Sequence, residues 1–72
     1  MERDKLINVL QQFTVASNNA SNLTTKRLLN LYGNISVFIY KSMSEHSDIA
    51  YKGQDLISDI EKEIQSRAKE IK

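Results

Sequence analysis

Cysteine, proline and tryptophan are absent from this 72-residue chain, and glycine occurs only as Gly33 and Gly53. Without cysteine there can be no disulfide, no thiolate metal site and no cysteine nucleophile. Without proline, and with two glycines, few positions can interrupt a helix. No apolar run approaches the roughly 20 residues that cross a bilayer. No hydrophobic leader follows Met1-Glu2-Arg3-Asp4, so with no disulfides a cytoplasmic location is expected. Histidine occurs once, as His46, in a stretch of polar residues and with no cysteine for a partner. Such a histidine reads as a solvated side chain rather than a base or ligand. Two glycines twenty positions apart build no phosphate-cradling loop. Asp55, Asp59, Glu61 and Glu63 are spread around a helical register with Lys62 among them, a solvated face rather than a metal site. The expectation is a non-enzymatic protein with no cofactor, no metal and no small-molecule substrate. The three Asn-X-Ser/Thr triplets beginning at Asn19, Asn22 and Asn34 read as chance products of an Asn- and Ser-rich stretch.

The length supports one domain, residues 1–72, which on folding removes only about 60% of its extended surface from water. A net charge of +1 conceals a polarity along the chain. Between Asp4 and Glu45 there is no carboxylate, while Lys5, Lys26, Arg27 and Lys41 are cationic. From Glu45 onward seven acidic residues face five basic ones. A mildly basic first half suits an acidic partner, either a phosphate backbone or a carboxylate-rich protein. The plainer reading is that four cations in forty residues is unremarkable.

The apolar residues recur at helical intervals. Leu6, Val9, Leu10, Phe13 and Ala16 mark an amphipathic helix over 3–17, followed by a polar Ser/Asn loop. A second helix, 24–32, starts with Thr24 as N-cap and a Leu23–Leu28 staple, and buries Leu28, Leu29, Leu31 and Tyr32. Gly33 is expected to stop it in a left-handed conformation. Ile35, Phe38, Ile39 and Met43 then share a face of a third helix, 35–44, with Val37, Tyr40, Lys41 and Ser44 opposite. The last helix, 48–71, is capped by Ser47 or Asp48 and carries Ile49, Leu56, Ile57, Ile60, Ile64, Ala68 and Ile71, with Arg67 on the same seam. Gly53 is the place where it would break. The expected fold is all-α: a bundle of four helices, or five if Gly53 divides the last.

Helix, glycine turn and helix over residues 24–43 resemble the helix-turn-helix of the lambda-repressor-like and lac-repressor-like families, with the likeness reaching over residues 20–64. Gly33 stands at the turn, and Ile39 and Met43 stand where those families bury aliphatic residues. Two positions differ: Asn34 follows the glycine where an apolar residue is usual, and Leu29 replaces a small residue. The resemblance implies that Ser36, Val37, Tyr40, Lys41 and Ser44 form the recognition surface. Lys26 and Arg27 would then contact phosphates or acidic groups.

A base-reading helix usually displays several Arg, Lys, Asn or Gln side chains, whereas this surface has Lys41 alone. Val37 and Tyr40 suit a protein anchor better, because tyrosine supplies large contact area at low entropic cost. In size and inferred architecture the chain loosely resembles small phage modulators of repression, the antirepressors. That resemblance implies a transcriptional modulator acting through a partner repressor or other regulator protein. Direct DNA binding, as a homodimer through the C-terminal helix, is the alternative. A helical assembly adaptor or chaperone docking through 54–71 is a third.

Overall fold

In a folded protein amphipathic helices are held mainly by burying their apolar stripes against one another rather than by intrinsic propensity. In the computed structural model, which describes residues 2–70, three such stripes close on a common core. Ile71, expected to end the last stripe, lies outside the described residues, as do Met1 and Lys72. Helix α1 is Arg3–Asn18, α2 is Thr25–Ser42 and α3 is Ser47–Glu70. A single 3-10 turn, Ala20–Asn22, joins α1 to α2. Among the described residues there is no strand.

The all-α expectation is met, but the element count is not. Where two helices and a turn were expected over 24–44, there is one helix running through Gly33. Neither glycine has a positive φ. The reason lies in the register. Continued at 3.6 residues per turn, the chain places Leu28, Ile35 and Ser42 seven apart on one buried line, with Phe38 beside them. A turn at Gly33 would divide that stripe and leave backbone amides unpaired. Glycine permits the left-handed turn without requiring it, and the packing decides. The same register moves Leu29 from its expected buried place to the outside, where it is 53% exposed. Gly53 does not break α3 either: it is buried against α2, where a Cβ would stand 2.8 Å from Ile39 Cγ1.

The ends are set by local chemistry. Thr24 Oγ1 accepts the Arg27 amide at 3.2 Å, the N-cap expected from the sequence, and Leu23 packs on the cluster that includes Leu28. The helix expected to reach residue 44 ends at Ser42, whose buried hydroxyl donates to the Phe38 carbonyl at 2.8 Å. Ser47 and Asp48 lie inside α3 rather than capping it, and the His46 carbonyl accepts the Ile49 and Ala50 amides.

Two clusters fill the core. One holds Ala20, Leu28, Ile35 and Ile60, with Leu31, Leu56, Ile57 and Ile64 packed around it. The other holds Leu6, Phe38 and Ile49. Phe13 touches both and meets Phe38 edge-on, with ring centroids 5.5 Å apart and planes at 77°. The Arg3–Asp48 pair sets the start of α1 beside the start of α3, and Arg67 meets the 3-10 turn after α1. So α1 runs parallel to α3, and α2 runs antiparallel to both.

Candidate interaction surface

Every residue expected to take part in recognition lies at the surface. Ser36, Val37, Tyr40, Lys41 and Ser44 are exposed, as are Lys26 and Arg27. Tyr40 is 85% exposed and Val37 53%. Ser44 lies in the turn after α2 rather than on the helix. The Ser36 hydroxyl donates to the Tyr32 carbonyl of its own helix at 2.9 Å, so its donor is already engaged. With α2 unbroken, Leu29, Gly33, Val37 and Tyr40 follow at intervals of three and four and, with Ser36 beside them, share one side of the helix. Gly33 lies within that row, with nothing within 4 Å of where a Cβ would stand. The row is opposite the buried line of Leu28, Ile35 and Phe38, so neighbouring helices leave it uncovered.

The charges carried by α2 itself are of one sign, although the Glu61 carboxylate of α3 accepts from the Tyr32 hydroxyl at 3.4 Å. Helix α2 contains Lys26, Arg27 and Lys41 and no carboxylate. None of the three belongs to the ion pairs found among the described residues, Arg3–Asp48 and Arg67–Glu63. The carboxylates gather on α3, with Asp48, Asp55, Asp59, Glu61 and Glu63. The outward side of α2 therefore combines apolar anchors with cations that belong to no ion pair among the described residues.

Two polar clamps hold the ends of the bundle. At one end Arg3 donates to both Asp48 oxygens, at 3.2 and 2.5 Å, and its Nη1 lies 3.3 Å from His46 Nδ1. The hydrogen bond from Arg3 holds the Asp48 carboxyl well below its ordinary value of 3.8, at about 2. At the other end the Arg67 guanidinium donates to the carbonyls of Ala20 at 3.1 Å and Leu23 at 2.6 Å, to Thr25 Oγ1 at 3.2 Å and to Glu63 Oε2 at 3.0 Å. The spacing of Glu63 and Arg67, four apart in a helix, predicts an ion pair bracing an exposed face. Instead it is largely buried and ties α3 to the turn between α1 and α2. Arg67 on an apolar seam was the available signal, since a cation there must reach a set of acceptors.

Helix α3 has little apolar surface left for an outside partner. Ile49, Ala50 and Ile60 are buried within the bundle, and Leu56, Ile57 and Ile64 pack on its core. Tyr51, 59% exposed, is the large apolar residue that it turns outward. No helix is long and apolar enough to cross a membrane, and no group of three or more potential metal ligands occurs among the described residues. No protein family, curated protein or solved structure matches this chain.

Proposed function

We propose that this protein is a non-enzymatic binding module that recognises an acidic protein surface through the outward side of α2. The observation that carries this reading is a single helix side bearing Leu29, Val37 and Tyr40 uncovered, on a helix whose only charges are Lys26, Arg27 and Lys41. Exposed aromatic and aliphatic anchors supply contact energy, and surrounding cations steer and orient an acidic partner. On the chain's resemblance in size and composition to small phage antirepressors, the partner proposed is a transcriptional regulator, which the chain would modulate by covering part of its surface. The turn on which the helix-turn-helix resemblance rested is replaced by continuous helix, so the proposal stands on the composition of this surface and not on that motif.

Direct binding of DNA is the second reading, favoured by the three cations and the absence of carboxylates on α2. So few phosphate contacts would give weak, strongly salt-dependent binding. Docking of an adaptor or of a second copy through 54–71 has less in its favour, because that helix spends its apolar seam inside the bundle.

The test is to place a photo-crosslinking benzoyl-phenylalanine at Tyr40 and, as control, at Ser58, which is exposed on α3. A discrete adduct from Tyr40 alone is expected. Its partner, once identified and purified, should bind the natural chain and not a folded Tyr40→Ala variant. Identical adducts from both sites, or unchanged binding by Tyr40→Ala, would overturn the assignment.

A further inference from the structure

Helix α1 and helix α2 leave an open cleft between them, about 250 Å³ in volume, lined by Ala16, Leu23, Arg27, Asn30, Leu31 and Asn34. Ala16, Leu23 and Leu31 are half-buried and form an apolar floor, while Arg27, Asn30 and Asn34 are exposed around it. Residues 27, 30, 31 and 34 follow at helical spacing, so one side of α2 supplies both part of the floor and the polar rim. We propose that this cleft seats an aliphatic side chain and a neighbouring carboxylate from the acidic partner protein, which makes it a second anchor point beside the Leu29–Tyr40 side. This inference rests on the reading of α2 as the recognition helix and names the chemistry that accompanies it.

Shape and charge select the occupant. The cleft is open to solvent rather than enclosed, a shape that suits side chains of a larger partner better than a free small molecule. Arg27 is the only charged group in the lining and has no ion pair among the described residues. Its guanidinium can grip a carboxylate through two parallel hydrogen bonds, a geometry that lysine cannot reproduce. The Asn30 and Asn34 side chains make no hydrogen bond among the described residues and offer both donors and acceptors for a peptide backbone. An apolar floor beneath a single cation fits an acidic amphipathic segment better than a phosphate backbone.

The test uses the isotopically labelled full chain and a synthetic helical peptide in which leucine and glutamate alternate at spacings of three and four. The control peptide carries glutamine in place of glutamate. The expected result is saturable movement of the Ala16, Leu23, Asn30, Leu31 and Asn34 amide signals. Affinity should fall by about tenfold or more with the glutamine peptide and with Arg27→Gln, about 1.4 kcal/mol. The Arg27 side chain is exposed, so the unchanged spectrum of Arg27→Gln serves as the check on its fold. Equal binding of both peptides would overturn the inference. So would movement confined to the Leu29, Val37 and Tyr40 signals, which would leave the outer-side reading standing. Concentration-dependent movement of the cleft signals without peptide would also overturn it, by naming a second copy as occupant.

Discussion

Replacing Gly33 with alanine should make this protein more stable. The residue lies well inside α2, its φ is not positive, and an added Cβ meets nothing within 4 Å. The substitution therefore creates neither clash nor new contact and leaves only the difference in helix propensity. That difference is about 1 kcal/mol in favour of alanine, because glycine loses more backbone freedom on folding. For a domain of this size, 1 kcal/mol moves the melting temperature by about 4–8 °C, well within the reach of far-ultraviolet circular dichroism. Gly53→Ala supplies the internal contrast. Its Cβ would stand 2.8 Å from Ile39 Cγ1 and 3.7 Å from Phe38 Cδ2. Isoleucine is branched at Cβ, so Cγ1 cannot swing aside freely, and overpacking of this kind costs about 1–3 kcal/mol. That cost outweighs the propensity gain, and Gly53→Ala should melt lower than the natural chain. A lower melting temperature for Gly33→Ala would refute the continuous helix, since it is the result that a left-handed glycine at a turn would give.

Three further perturbations test the clamps and the core. Arg67→Ala should cost about 3 kcal/mol in urea denaturation, because the Ala20 and Leu23 carbonyls lose a charged donor. Arg67→Lys should restore only part of that loss, since one ammonium cannot span the same acceptors. The Asp48 pKa is depressed in the folded state, so the contribution of the Arg3–Asp48 pair is present above the ordinary value of 3.8 and is lost as pH falls through about 2. Denaturation midpoints of the natural chain and Asp48→Asn should therefore differ near neutrality and converge in strong acid; a difference that persists there would remove the pair as its cause. Ser17→Ala should raise stability by about 1 kcal/mol in thermal melts, because the Ser17 hydroxyl is buried without a hydrogen-bond partner and alanine is the better helix former.

Much of the bundle was legible in the chain. The stripe of Leu6 and Phe13, the Thr24 cap and the seam of Ile49, Ile57, Ile60 and Ile64 all lie where periodicity put them. Exposure of Val37, Tyr40 and Lys41 followed from the same spacing. Gly33 misled because a glycine's freedom is compatible with either a turn or a helix interior, and the choice depends on how Leu28, Ile35 and Ser42 align across it. A helix that ends at Gly33 divides that alignment and places Leu29 on the buried side, whereas the continuous helix exposes it. The role of Arg67 was hidden for a different reason: its acceptors are backbone carbonyls more than forty residues earlier, and carbonyls carry no signature in sequence. The cleft between α1 and α2 depends on the distance between two helices, which periodicity does not encode.

The most direct test of recognition through protein rather than nucleic acid is titration of the purified chain with random-sequence duplex DNA at low and at physiological salt. With Lys26, Arg27 and Lys41 as the only cations on α2, recognition of protein predicts at most feeble binding at low salt and none at physiological salt. Tight binding at low salt that falls steeply as salt rises would contradict it and make the α2 surface a phosphate-contacting one.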